Sequence, residues 1–249
     1  MLSDQRQNQI LDILKERQCV TVAFLSKNLY ASGATIRRDL TEMGERGLIR
    51  RVRGGAALIE GINNDAPLLV RSMENRERKE KIARIALRYI KDSSALFMDS
   101  SSTVTVLAGK LTGFHNLTVV TNGLVTMNTL NENPLIKVAG SGGFIQNAAT
   151  FVGQTAVDTI SGFRADVFFF SCCGLSAEFG SSEAREEVAA VKRAMHRNAG
   201  KRVLLCDATK IGTDYFCRVC GLSEIDLIIT DRKPEEGILA AAAGKLVWE

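Results

Sequence analysis

Missing from this sequence is any run of about 18 uninterrupted apolar residues, and with it the raw material of a membrane-spanning helix. The start has no charged-then-apolar leader, so a soluble, cytoplasmic chain without a membrane partner is expected. Internal repeats and low-complexity tracts are lacking as well. Histidine is scarce: His115 and His196 are the two in the chain, and they show no ligand spacing. One C-x-x-C, Cys217 to Cys220, stands without a second pair. Structural zinc needs four ligands, so no metal is expected, and FCRVC is read as a short strand with alternating faces. The six cysteines are expected as free thiols rather than a disulfide framework. No cofactor is expected either.

What is present exceeds one small domain. With 249 residues and 45% apolar content the chain can fill a second core. Its net charge of +4 is unevenly spread: the first 60 residues hold ten Lys/Arg against seven Asp/Glu (+3), leaving 22 against 21 (+1) for the rest. The basic excess therefore sits on the smaller, N-terminal part, as a nucleic-acid-binding head on a nearly neutral body requires.

Within that part, Gln5 to Glu16 places Ile10, Leu11, Ile13 and Leu14 at helical spacing, and a second short helix follows with Val22, Leu25 and Leu29 as its inner stripe. Tyr30-Ala31-Ser32 makes the turn. Ser32 is a good N-cap for a third helix through Met43, with Ile36, Leu40 and Met43 on one face and Arg37 and Arg38 off it. Beyond Gly44 and Gly47, the apolar Leu48, Ile49 and Val52 lie among Arg50, Arg51 and Arg53 before Gly54-Gly55, the pattern of a basic hairpin. A salt-bridged solvent face is the bland alternative. Residues 37–53, however, carry six arginines against three carboxylates. The stretch is therefore read as a helix-turn-helix with a β-wing on double-stranded DNA. Ser32, Gly33, Ala34, Thr35, Arg37 and Arg38 are expected at the groove, and Arg50, Arg51 and Arg53 at phosphates.

GINNDAP, residues 61–67, reads as a linker. After it, Glu74 to Lys91 is helical, with the charge run ENRERKEK as a solvated face close to the linker. From Ala95 short apolar runs alternate with helical segments: ALFMD, LTVVT, LIKVAG, DVFFFS, RVLLCD and DLIITD, with a helix at about 183–198, another from Pro234 and a closing KLVW. This implies a doubly covered, mostly parallel α/β sheet with right-handed crossovers. Small polar residues fall just after successive strands: Asp99-Ser100-Ser101-Ser102-Thr103, Thr121-Asn122-Gly123, Gly140-Ser141-Gly142-Gly143, Ser171-Cys172-Cys173-Gly174 and Asp207-Ala208-Thr209-Lys210. Such loops gather at the carboxyl edge, where open α/β sheets bind ligands. A phosphate pocket is inferred from Asp99 to Thr103, Thr121, Asn122, Gly123, Gly142, Gly143, Cys173, Gly174, Asp207 and Lys210, with Lys192 as a further candidate cation.

The segment VTVAFLSKNLYASGATIRRDLTEMGERGLIRRVRGGA resembles the N-terminal winged helix of the DeoR family of bacterial transcriptional regulators, most specifically in TIRRDL and the closing GGA. Arg53 and Tyr30 stand where members commonly have histidine and glycine. MDSSSTV, LTVVTNG, FVG, VKRAM, the DATK segment and DLIITD extend the resemblance over nearly the whole chain. It implies an effector domain that shares a fold with sugar-phosphate isomerases and senses phosphorylated sugars. By the same resemblance, DSSST corresponds to a DSGTT-like phosphate loop, with Ser101 in place of glycine. Lys192 likewise corresponds to the lysine of an EAxxK-like segment, although Glu186 and Glu187 stand five or six residues before it.

The expectation is a winged helix-turn-helix at 1–58, a linker at 59–73 and an effector and oligomerisation domain at 74–249. Together they make a homo-oligomeric (dimer or tetramer) regulator, usually a repressor, of carbohydrate use, with no catalytic residues. The alternative is an enzyme of sugar-phosphate isomerisation or deamination, with Asp99, Asp207 or Glu183 as general acid/base and Lys192 as charge stabiliser. The DNA-binding head favours the regulator.

Overall fold

The computed structural model describes residues 3–17, 19–45, 48–58, 68–147, 149–242 and 244–249. GINNDAP and Gly47, named above, lie outside them. Internal contacts divide the chain into two compact units between Glu74 and Asn75.

In the first unit α1 (Ser3–Arg17) leads to β1 (Cys19–Thr21), α2 (Val22–Asn28), α3 (Gly33–Glu45), β2 (Ile49–Val52), β3 (Gly55–Leu58) and α4 (Leu68–Met73). The last of these corrects an expectation, because residues 68–73 of the anticipated linker form a helix. Thr21 caps α2 by accepting from the Phe24 N–H at 3.1 Å, which satisfies one of the donors a helix start leaves free. Ile10, Leu14, Val22, Leu25, Ile36, Leu40, Met43 and Ile49 close one core among the three helices and the sheet β1-β3-β2.

The second unit begins with α5 (Arg76–Ala86). It continues through β4 (Ala95–Met98), α6 (Ser102–Ala108), β5 (Leu117–Thr121), α7 (Leu124–Asn131), β6 (Ile136–Gly140), β7 (Phe144–Gln146) and β8 (Thr150–Val152). Next come α8 (Gln154–Ser161), β9 (Ala165–Phe170), β10 (Gly174–Ser176), β11 (Gly180–Glu183) and α9 (Glu186–Arg197). The chain ends with β12 (Ala199–Leu205), β13 (Cys217–Cys220), β14 (Leu227–Thr230), α10 (Glu236–Ala241) and β15 (Leu246–Trp248). Seven strands form one parallel sheet in the order β15-β14-β12-β9-β4-β5-β6.

Why these strands are apolar throughout, rather than alternating, follows from burial on both faces. Phe168 and Phe170 of β9 pack with Ala156 and Ile160 of α8 and Ala189 of α9. Val167 and Phe169, pointing the other way, pack with Ile82 of α5 and Val104 of α6. Phe168 and Phe170 stack at 4.7 Å between ring centroids.

Two departures from expectation concern irregular pieces. The helix anticipated from residue 183 starts at Glu186, because β10 and β11 form a hairpin that pairs with β13 in a separate antiparallel sheet. The charge run 74–81, most of which forms the first turns of α5, is not wholly solvated: Lys79 is buried.

Strand order carries the functional consequence. From β4 the chain steps outward to β5 and β6, then returns to β9 on the other side of β4 and continues to β12, β14 and β15. The carboxyl ends of β4 and β9 therefore flank the switch point, where open parallel sheets leave a crevice.

Candidate functional site

In the first unit the candidate DNA-reading residues sit on and around α3. Ser32 Oγ accepts from the Thr35 N–H at 3.1 Å, fixing the helix start. Gly33 is half-buried with Ala34 exposed beside it, and Arg37 and Arg38 are exposed. The helix is anchored from behind by an ion pair the sequence reading missed: Arg6 of α1 donates to Asp39 at 2.5 Å (Nε to Oδ2) and 2.9 Å (Nη2 to Oδ1). A carboxylate on the apolar stripe between Ile36 and Met43 was the signal that a cation had to reach it.

The wing arginines separate by strand alternation. Arg51 shares a face of β2 with Ile49, turned toward α3. Its guanidinium donates to Thr41 Oγ1 and, at 3.5 Å, to the Arg37 carbonyl, while its stem covers Gly44, where a Cβ would lie 3.0 Å away. Arg50 points elsewhere, 3.7 Å from Glu74. Arg53 is exposed in the two-residue loop between β2 and β3. Both glycines after it are required. Gly54 has φ +84°, and a Cβ on Gly55 would meet the Val20 carbonyl of β1 at 2.0 Å.

In the second unit the switch point, where a crevice is expected, holds a buried charge network. Asp99 Oδ1 accepts from Ser101 N at 2.9 Å and Oδ2 from Ser171 N at 3.0 Å. Lys192 Nζ reaches Asp99 Oδ2 at 2.8 Å, Glu183 Oε1 at 2.5 Å and the Ser171 carbonyl at 2.7 Å. Burial works against the Lys192 ammonium, but the Asp99 and Glu183 carboxylates outweigh it and hold its pKa above the ordinary lysine value. All three of its donors are thus engaged by protein acceptors. Glu183 Oε2 accepts from the Cys173 thiol at 3.1 Å. Cys172 turns the other way, 3.9 Å from Cys206 Sγ; the neighbouring thiol and burial push its pKa well up. All six cysteines are free.

Around this network the other loops converge. Ser101 caps α6 by accepting from Val104 N at 3.4 Å, and Ser100, Ser102 and Thr103 are buried beside it. The Thr121 hydroxyl accepts from Gly123 N at 3.0 Å. A Cβ at Gly123 would lie 2.9 Å from Ser100 Cα, so glycine is what lets the loops after β4 and β5 touch. Lys210 Nζ donates to the Cys172 carbonyl at 2.8 Å and Ser171 Oγ at 3.2 Å, and sits 3.9 Å from Asp207 Oδ2. Burial lowers the Lys210 pKa, but Asp207 overrides it, leaving the group raised and charged. Gly142 and Gly143 have φ +64° and +104° and shape the turn into β7; Gly174 admits the Thr213 carbonyl, which a Cβ would meet at 2.3 Å. Three buried polar atoms of these loops have no hydrogen-bond partner: Thr103 Oγ1, Asn122 Oδ1 and Asp207 Oδ2.

Comparison with known proteins agrees with both units. Residues 6–61 match the DeoR-like helix-turn-helix domain and residues 74–232 the DeoR C terminal sensor domain. The chain is 36% identical to the HTH-type transcriptional regulator GolR of Listeria innocua over 94% of this chain and 92% of the relative. It is 31% identical to the glycerol-3-phosphate regulon repressor of Escherichia coli, covering 96% and 95%. With the HTH-type transcriptional repressor GlcR of Bacillus subtilis it shares 32% over 95% and 91%. Among solved structures, a D-ribose-5-phosphate isomerase in complex with phospho-erythronic acid aligns over 57% of this chain and 56% of that one, at 18% identity and TM-score 0.42. No helix among the described residues is long and apolar enough to cross a membrane.

Proposed function

Because the chain belongs to the DeoR family of transcriptional regulators, we propose that it represses a carbohydrate-utilisation operon, with a phosphorylated sugar in the switch-point crevice changing its operator affinity. The observation that carries this reading is the set of buried atoms without a hydrogen bond, Thr103 Oγ1 in the first turn of α6, Asn122 Oδ1 after β5 and Asp207 Oδ2 after β12, at one sheet edge. Buried polar atoms without partners are costly, and a hydroxylated ligand satisfies them. Thr103 supplies a donor, while Asn122 Oδ1 and Asp207 Oδ2 accept from sugar hydroxyls. Ser102, Thr103 and the Lys210 ammonium are the groups suited to a phosphate. Lys192 acts at one remove, by holding Asp99 and Glu183 in place. The name of the glycerol-3-phosphate regulon repressor points the same way, and GlcR too is named a repressor.

The same geometry speaks against Asp99 and Glu183 as catalytic bases, though not against Asp207. A general base needs a free lone pair aimed at substrate. Here Asp99 accepts from two backbone N–H groups and Lys192, and Glu183 from Lys192 and Cys173. We expect no product when candidate sugar phosphates are incubated with the protein.

A thermal-shift screen over phosphorylated sugars tests the sensor reading. A ligand present at 100 times its Kd stabilises the native state by about 2.7 kcal/mol. Replacing Ser102 and Thr103 together with glutamate should abolish the shift and the operator response while leaving operator binding intact. A folded double variant that still responds would place the ligand elsewhere.

A further inference from the structure

One feature of the second unit is not explained by ligand binding itself. Asn75, its first residue, holds a left-handed backbone (φ 51°, ψ 32°) ahead of α5. That conformation is strained for most residues and tolerated by asparagine. An asparagine there would ordinarily cap its own helix, yet its side chain makes no cap hydrogen bond. Its amide Nδ2 instead donates to Thr209 Oγ1 at 3.3 Å, across 134 residues of sequence. The Thr209 hydroxyl in turn donates to Asp207 Oδ1, whose other oxygen is one of the unpartnered atoms of the crevice. A second connection runs in parallel. Asp231, after β14, accepts from Ala208 N at 2.7 Å through Oδ1; its carbonyl accepts from Lys81 Nζ at 3.0 Å, and Oδ2 lies 3.7 Å from Arg78 Nε. The loop that lines the crevice thus holds the start of α5 by both its hydroxyl and its backbone.

We propose that Asn75, Thr209 and Asp231 are positioning residues that relay occupancy of the crevice to the first turn of α5, the element joined in sequence to the DNA-binding unit. The relay rests on the reading of the crevice as the effector site. A ligand that engages Asp207 Oδ2 turns the carboxylate about its Cβ–Cγ bond. The Thr209 hydroxyl, bonded to the other oxygen, follows, and with it the Asn75 amide. Because that amide is not spent on capping α5, the helix start is free to answer to the loop. The charge run 74–81 then has a purpose beyond solvation, since Arg78 and Lys81 are the side chains that meet Asp231.

Amide hydrogen exchange on the full chain tests the relay, with Thr209→Val removing the hydroxyl at constant shape and Thr209→Ser restoring it. In free protein, Thr209→Val should raise exchange at residues 79–82 about fivefold, the factor expected for one lost hydrogen bond, and Thr209→Ser should match wild type. Asn75→Gly, which keeps the left-handed backbone and removes the amide, should repeat the Thr209→Val result and serves if that variant misfolds. With inorganic phosphate as probe, wild type and Thr209→Ser should change exchange both in the loops 99–103 and 207–210 and at 79–82; Thr209→Val should keep the change in the loops and show a clearly smaller one at 79–82, carried by Asp231 alone. Wild-type exchange at 79–82 in the free Thr209→Val and Asn75→Gly proteins, or a phosphate effect at 79–82 that keeps its full wild-type size without the hydroxyl, overturns the relay. Phosphate that alters no loop in any form sinks the crevice reading instead, and the free-protein comparison still decides whether the loop holds α5.

Discussion

Asp39 and Lys192 illustrate at the residue scale how a buried charge is tolerated. Asp39 is 3% exposed on the inner stripe of α3 and is held by the two-point contact with Arg6. Removing Arg6 takes a charged two-point donor from that buried carboxylate, so Arg6→Ala should destabilise the first unit by about 1.5–3 kcal/mol, measured by denaturant unfolding. A loss below about 1 kcal/mol, the range of surface pairs, would show that α3 does not depend on the pair. Lys192 binds two carboxylates at once. Its folded pKa is raised, so its contribution is fully present below the ordinary lysine value near 10.5 and is lost only as pH rises through the folded value. Lys192→Met removes that charge and leaves the buried Asp99 and Glu183 carboxylates without their shared cation. The variant should be less stable than wild type by about 3 kcal/mol or more at neutral pH, since removing one partner of a buried ion pair leaves uncompensated charge. Thermal unfolding at pH 7 checks it, and a variant as stable as wild type would contradict the network. The adjacent glycines differ in kind. Gly54→Ala should cost about 1 kcal/mol through φ alone, whereas Gly55→Ala collides with the Val20 carbonyl and should unfold the wing in the same assay.

At the scale of elements, helix and wing do different work on DNA. Arg37→Ala or Arg38→Ala should cost about 1–3 kcal/mol and relax one operator position where the side chain reads a base edge. Arg53→Ala should weaken binding to all sequences alike and reduce the salt slope by about one unit. Arg51→Ala should alter the seating of the wing on α3 instead, since its guanidinium is bonded to Thr41 and to the Arg37 carbonyl. Binding isotherms at several salt concentrations separate the three, and identical slopes for Arg53→Ala and wild type would remove Arg53 from the phosphates.

What could be read from sequence follows the same division. Ile36, Leu40 and Met43 announce α3, and FFF in β9 announces a strand buried on both faces. Five polar strand ends announced a common edge. GLS and GSSE of β10 and β11 carry no apolar period, so the small sheet they form with FCRVC passed as loop and helix start. The arginines of the wing looked equivalent because composition does not reveal which face of a four-residue strand meets a helix. Asn75 and Asp231 went unnoticed for another reason: their partners lie in another part of the sequence.

For the whole molecule, a single recognition helix covers only a few base pairs, so operator specificity requires two or more heads on half-sites spaced by about a helical turn or its multiples. Sedimentation of the full chain on operator DNA should give an even number of chains per site. A single chain per operator at saturating affinity would contradict the oligomer.

The crevice is assembled from residues spread between Asp99 and Lys210, whereas the core of the first unit is complete by Ala56. During synthesis about 150 residues separate the completed head from the loop that closes the sensor, which at ordinary elongation rates is roughly 10–30 s. Every newly made molecule therefore passes through an interval in which it has a folded head and nothing with which to sense. Such a chain has one head, which alone covers too few base pairs for operator specificity, so under the proposed reading specific binding and sensing both wait for the second unit to be completed.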